Sequence, residues 1–216
     1  MGMRIDIWSD LVCPWCYLGA TRFEAALDIV GRDDIEVHWR AYQLDPSAPA
    51  EPRDLREVID GRYGPGSFDG VTRRLVALGA ADGIEYRFDR ARFVNTADGH
   101  RLLAWAADEG DLDQQARLVG VLFRSYFTDG ADLSSHEALL ATVAEADLDV
   151  DAARSVLDSD RYAHDVAEDQ RLARERGISG VPAFVIDDTF LIPGAQEVEH
   201  MVSMLERARG KSTTAR

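Results

Sequence analysis

Residues 3–16, MRIDIWSDLVCPWC, decide the fold of this 216-residue chain. The first six residues alternate in polarity as a strand does, and the Ser-Asp pair after them is typical of the turn that ends one. Pro14 suits the first turn of a helix, because the amide that proline lacks would be unbonded there in any case. Cys13 is therefore predicted at the mouth of a helix, where free amides and the helix dipole favour a thiolate, and Cys16 one turn inside it.

The composition excludes several classes of function. Apolar residues make up 46% of the chain, which is enough to bury a core. The net charge of −15 argues against nucleic acid as a partner, because phosphates need clustered Lys and Arg. No stretch approaches the ~20 apolar residues that cross a membrane, and the first residues lack the pattern of a secretory signal. We therefore expect a cytoplasmic protein with no membrane partner, in a compartment where a structural disulfide is not expected.

A β-α-β unit is predicted at the start of the chain. Apolar residues recur at helical spacing over 17–30, Gly31-Arg32-Asp33-Asp34 interrupts them, and 35–44 alternates as a second strand. A strand, a crossover helix and a strand in this order imply parallel pairing.

A block of helices is predicted after the proline-rich segment 45–52. The predicted helices lie near 53–62, 67–81, 95–109, 112–128, 135–146, 150–158 and 161–176. Ile84, Tyr86 and Phe88 alternate, but this run is too short to predict a strand.

The strand period returns after Gly177. Residues 183–186 and 190–192 are predicted as an antiparallel hairpin, and Gly194-Ala195-Gln196 as the start of a last helix.

The order of elements predicts an α/β chain with a thioredoxin fold interrupted by a large all-helical insertion. Residues 1–45 and 177–210 form the predicted thioredoxin-like domain, and residues 46–176 form the insertion domain.

Five blocks of the chain carry a recognisable pattern: DLVCPWCYLG at 10–19, WRAYQL at 39–44, NTADGHRL at 95–102, GVPAFV at 180–185 and GAQ at 194–196. Together and in this order they resemble the DsbA-like thiol–disulfide oxidoreductases, and within them the FrnE-like branch. The chain departs from the branch at Pro193, where serine is usual, and at Gly99, where alanine is usual.

The cysteine pair is the predicted catalytic centre. Cys13 precedes the helix, and the first thiol of such a pair is the exposed one, so we expect it to be the nucleophile and Cys16 the resolving thiol. Pro14 and Trp15 are expected to tune the pair and to contact substrate, with Trp15 exposed beside it.

The resemblance further implies a cis peptide bond before Pro182, in a loop that faces the dithiol. The backbone of Val181 would then be free to pair with a substrate segment, and both residues belong to the expected substrate site.

Four polar residues are candidates for lining the cleft. Asp10 could take part in proton transfer or cap a turn, and His100 could line the cleft or serve only in packing. Asn95 is predicted as a helix N-cap. Gln196 belongs to a helix start that could receive an anion such as a glutathione carboxylate, or that could be an ordinary helix start.

Zinc is the alternative ligand for a CxxC pair, but a structural zinc site needs four ligands. The chain has no further cysteine and its five histidines show no close pairing in sequence, so no metal is expected.

Three functions compete. The first is a thiol–disulfide oxidoreductase that acts on protein or small-molecule disulfides, needs no cofactor and could use glutathione as a co-substrate. The second is a glutathione-dependent isomerase or transferase, since 2-hydroxychromene-2-carboxylate isomerases and kappa-class glutathione transferases also resemble this chain. Those proteins generally carry serine near the position of Cys13 and lack the pair, so Cys16 favours redox exchange. The third is a chaperone-like peptide-binding module. No oligomeric state is predicted.

Overall fold

The structure is a computed structural model that describes residues 2–214, with side chains for residues 2–210. The strands are β1 Met3–Ser9, β2 Ile35–Ala41, β3 Arg53–Asp54, β4 Arg92–Phe93, β5 Ala183–Ile186 and β6 Phe190–Pro193. The helices are α1 Pro14–Val30, α2 Leu55–Tyr63, α3 Ser67–Ala81, α4 Ala97–Trp105, α5 Leu112–Arg124, α6 His136–Glu145, α7 Val150–Leu157, α8 Ala163–Glu175 and α9 Val198–Thr214. A wider π-helical turn extends α4 over 106–110 and α5 over 125–129.

The main sheet has the strand order β2-β1-β5-β6. β1 and β2 are parallel, as the β-α-β pattern predicted, and β5 pairs antiparallel with both β1 and β6. Together with α1 and α9 these strands form the predicted thioredoxin fold. The helical insertion lies between β2 and β5 in the chain, as expected.

All seven helices predicted for the insertion are present, although their ends differ by a few residues. β3 and β4 form a two-residue antiparallel pair that the sequence did not predict, and the segment 84–88 contains no strand. The last helix begins at Val198 rather than at Gly194, because Gly194 has a φ of 72°, outside the right-handed helical region.

One buried core runs through both parts of the chain. In the thioredoxin part, the rings of Phe23 on α1 and Phe184 on β5 lie 5.3 Å apart. On the other side of α1, Tyr17 stacks on Phe123 of α5 at the same distance. The insertion thus packs directly on the helix that carries the cysteines. The domain limits 1–45, 177–210 and 46–176 stay a prediction.

Among residues 2–214, no helix combines the length and the apolar character needed to cross a membrane.

Candidate active site

The dithiol loop is held by backbone hydrogen bonds at the start of α1. Cys13 is the N-cap of the helix and Pro14 occupies its first position, as predicted. The amide of Cys13 donates to the carbonyl of Asp10 at 3.1 Å, and the amide of Cys16 donates to the carbonyl of Cys13 at 3.0 Å. These bonds fix both cysteines on the same first turn, so their thiols face each other.

Both cysteines are free thiols, and both are buried. The expectation of an exposed Cys13 is wrong, since only 4% of this residue is accessible; Cys16 has no exposure at all. The order of access is nevertheless the predicted one, because Cys13 alone reaches the surface.

The Cys16 thiol lies close enough to the Cys13 sulfur for the two groups to influence each other. Burial raises the pKa of Cys16 well above its ordinary value, and the neighbouring Cys13 raises it further. The backbone of Asp10 and the hydroxyl of Ser9 act in the opposite direction. Cys16 is therefore a thiol at neutral pH, as suits a group that acts only in the second step of an exchange.

A loop from the far end of the chain covers Cys13. The peptide bond between Val181 and Pro182 is cis, as the resemblance implied. The Cys13 thiol donates to the carbonyl of Val181, with 3.8 Å between sulfur and oxygen. The next carbonyl, that of Pro182, accepts from the amide of Gly194 at 2.8 Å. The loop therefore lies against the nucleophile and is anchored to the end of β6.

Pro14 and Trp15 contact side chains of the insertion that sequence reasoning did not identify. The hydroxyl of Tyr86 donates to the carbonyl of Pro14 at 2.5 Å. Trp15 is half-buried rather than exposed, and the guanidinium of Arg74 lies 5.6 Å from the centroid of its ring. The alternation around Tyr86 was the only signal in the sequence that marked this residue as buried.

Asp10 and His100 are both buried, with 1% and 2% exposure, and neither lines the cavity beside the Val181 loop. The carboxylate of Asp10 accepts from the amide of Leu44 at 2.7 Å, and its other oxygen lies 3.4 Å from Nε2 of His100. The pair therefore joins the dithiol loop to the end of β2 and to α4 of the insertion.

Asn95 and Gln196 form local hydrogen bonds at helix starts. The side chain of Asn95 accepts from the amide of Ala97 at 2.9 Å, although the N-cap of α4 is Thr96, one residue later than predicted. Gln196 donates to the carbonyl of Pro193 at 2.5 Å and precedes α9.

Ser9 is the third polar residue that sequence reasoning missed, after Tyr86 and Arg74. Its hydroxyl is buried and has no hydrogen-bond partner among the described residues. It lies beside the Cys16 sulfur, where a hydroxyl stabilises a thiolate. A serine at the end of a strand just before a CxxC motif was the available signal.

Two cavities flank this region. One of about 360 Å³ is lined by the loop 177–183 and the end of β6. A larger one of about 980 Å³ lies between α1 and α5. Neither cysteine lines either cavity, but Val181, whose carbonyl accepts from the Cys13 thiol, lines the smaller one. Within the part of the chain that the structure describes, no cluster of three or more His, Cys, Asp or Glu could hold a metal.

Comparison with known proteins places these features in a family. The model of the DSBA-like thioredoxin domain matches residues 4–206. The crystal structure of a probable DsbA oxidoreductase from Streptomyces coelicolor is 34% identical, with a TM-score of 0.89 over 96% of this chain and 90% of that one.

Two more distant structures share the fold. A 2-hydroxychromene-2-carboxylate isomerase is 20% identical, with a TM-score of 0.69 over 97% of this chain and 96% of that one. The cytosolic disulfide reductase DsbM of Pseudomonas aeruginosa is 19% identical, with a TM-score of 0.67 over 94% and 97%.

Proposed function

The chain belongs to the DSBA-like thioredoxin domain family, and from this premise we propose that it exchanges disulfides with protein or small-molecule substrates in the cytoplasm. It is a DsbA-like thiol–disulfide oxidoreductase with a close Cys13–Cys16 pair. The proposal concerns its substrates, its location and the role of each residue. The observation that carries it is the position of Cys13 at the mouth of α1, with the thiol of Cys16 close to it.

The exchange proceeds in two steps. The Cys13 thiolate attacks one sulfur of a substrate disulfide, forms a mixed disulfide and releases the first substrate thiolate. Cys16 then loses its proton and attacks the Cys13 sulfur, which releases the second substrate thiolate and leaves a Cys13–Cys16 disulfide. Two electrons pass from enzyme to substrate, and the two substrate thiolates take up the two protons that the cysteines lose. The reverse sequence oxidises a substrate dithiol.

The loop of Val181 and Pro182 is the proposed docking site for a substrate segment. Val181 is half-buried, and its carbonyl holds the thiol of Cys13 in the free enzyme. A substrate strand that pairs with the Val181 backbone would replace this contact and bring its own sulfur to Cys13. The narrower assignment to the FrnE-like branch is also proposed, and it rests on the five sequence blocks of the chain that resemble this branch.

A glutathione-dependent isomerase or transferase is the competing function, supported by the shared fold of the 2-hydroxychromene-2-carboxylate isomerase. A fold does not determine the reaction. Cys16 favours exchange, because a buried second thiol beside the first serves no step of an isomerisation. Glutathione is retained as a proposed co-substrate, with its carboxylate near Gln196, and no bound cofactor is proposed.

Insulin reduction by dithiothreitol tests the proposal with the wild type, Cys13→Ser and Cys16→Ser. We expect both variants to lose catalysis, and only Cys16→Ser to accumulate a mixed disulfide with substrate. Glutathione transfer that survives in Cys16→Ser, with no insulin reduction by the wild type, would favour the transferase. Peptide binding that neither substitution affects, without catalysis, would favour the chaperone-like function. Fractionation of cells that express the tagged chain tests the cytoplasmic location.

A further inference from the structure

An arginine of the insertion lies over Trp15, a residue between the two cysteines in sequence, and has no ion-pair partner among the described residues. Arg74 lies on α3, is exposed, and holds its guanidinium over the ring of Trp15, between the two cysteines in sequence. Among residues 2–210, no carboxylate lies within salt-bridge distance of it. By contrast, Arg22 on α1 and Arg56 on α2 are each paired with an aspartate, at 2.8 Å and 2.9 Å.

The contact with Trp15 holds this charge in one place. A guanidinium over an indole face gains cation–π attraction and leaves its N–H groups free for an acceptor. The acidic residue nearest to the dithiol in sequence is Asp10, which is buried and directed to Leu44 and His100. Arg74 therefore places at Trp15 a positive charge that no described carboxylate pairs with, although the net charge of the chain is −15.

We propose that Arg74 selects anionic substrates, in which a carboxylate lies close to the disulfide. The inference rests on the proposed function and names the substrate class of the same site. A guanidinium binds a carboxylate through two parallel hydrogen bonds, which orient the substrate as well as attract it. The class includes cystine peptides with a neighbouring acidic residue and small disulfides with terminal carboxylates.

Three small disulfides of nearly equal size test the charge preference. They are 3,3′-dithiodipropionate, which is anionic, bis(2-hydroxyethyl) disulfide, which is neutral, and cystamine, which is cationic. Reduced enzyme is mixed with each, quenched with acid and alkylated, and the loss of its two thiols is followed by mass. Each rate constant is divided by that of dithiothreitol with the same disulfide, which removes intrinsic differences in reactivity.

The variants are designed around one position and a matched neighbour. Arg74→Gln should lower the anionic-to-neutral rate ratio about fivefold, and Arg74→Glu should lower it further and raise the rate with cystamine. Arg74→Lys keeps the charge and should retain most of the preference. Arg73→Gln is the control, because Arg73 is also exposed but borders a different cavity, of about 340 Å³, that includes Asp69. Its ratio should stay within about twofold of the wild type, since screening weakens charges at a distance.

The outcomes separate this inference from the proposed function. A drop specific to Arg74→Gln, smaller at high salt, supports it. The inference would be overturned by equal anionic-to-neutral rate ratios in the wild type and Arg74→Gln. Equal changes of that ratio in Arg74→Gln and Arg73→Gln would overturn it as well. In either case, exchange with the neutral disulfide would leave the proposed function intact. A wild type that exchanges with none of the three but catalyses insulin reduction would overturn this inference alone, and one that does neither would overturn both.

Discussion

Replacing Gly19 by alanine tests how closely the substrate-docking loop packs on α1. A Cβ at this position would lie 2.8 Å from Cγ of Pro182 and 3.5 Å from Cα of Ala195. Carbon atoms pack best at about 3.5–4.0 Å, so the proline ring would have to retreat by about 0.7 Å or more. Overpacking of this kind costs about 1–3 kcal/mol. Because alanine is the better helix former by about 1 kcal/mol, we expect a net loss of stability of about 1 kcal/mol.

The matched control is Gly120→Ala in α5, where no atom lies within 4 Å of the added carbon. This variant gains the same helix propensity without the contact, so it should be stabilised by about 1 kcal/mol. Urea denaturation of both variants should therefore give free energies of unfolding about 2 kcal/mol apart. Gly19→Ala should also change the rate of disulfide exchange, since Val181 would move relative to Cys13. Equal stability of the two variants and an unchanged exchange rate would refute the packing argument.

Three further predictions concern single groups near the dithiol. Ser9→Ala should slow the resolution of a mixed disulfide by Cys16 about threefold to tenfold, because the Cys16 thiolate loses a hydroxyl donor. Quenched-flow mass spectrometry measures the resolution rate, and an unchanged rate would contradict the prediction. Burial raises the pKa of Cys16, and only its thiolate attacks the mixed disulfide. The resolution rate of the wild type should therefore still rise about tenfold per pH unit near pH 9. A rate that reaches a plateau below pH 8 would contradict the raised pKa. Burial alone would raise the pKa of Asp6, but hydrogen bonds from Arg4 and Arg40 outweigh it and hold the pKa below the ordinary value of about 3.9. The ionised Asp6 thus contributes stability that is fully present above about pH 4 and is lost as the pH falls through its lower folded value. Asp6→Asn should lower the free energy of unfolding at neutral pH and make that free energy fall less steeply below pH 4. Parallel curves of unfolding free energy against pH for the variant and the wild type would contradict this prediction.

Local sequence was sufficient to predict the elements that carry the dithiol. The alternation of β1 and the position of Pro14 depend on neighbouring residues only, and the N-cap of α1 is Cys13 as expected. The same holds for the helices of the insertion, whose apolar periodicity is continuous over several turns. The short pair β3 and β4 has no such signal, because two residues a strand are too few for any period to appear.

Contacts between distant segments account for what the sequence did not predict. Cys13 was expected to be exposed, but the carbonyl of Val181, 168 positions later in the chain, lies against its sulfur. For His100 the sequence left a place at the cleft or a role in packing open, and the residue is buried against Asp10, 90 positions earlier. Such pairings depend on how the insertion packs on α1, which neither periodicity nor motif spacing encodes. The resemblance supplied one such contact, because it implied that the Pro182 loop faces the dithiol.

Equilibration of the protein in a series of glutathione redox buffers, followed by acid quenching, alkylation and mass spectrometry, tests the central claim most directly. The account predicts one two-electron transition between a form with two alkylated thiols and a form with a Cys13–Cys16 disulfide, and its midpoint gives the reduction potential of the pair. A protein that becomes glutathionylated on one cysteine without ever linking the two, or that stays fully reduced across the whole series, would contradict it.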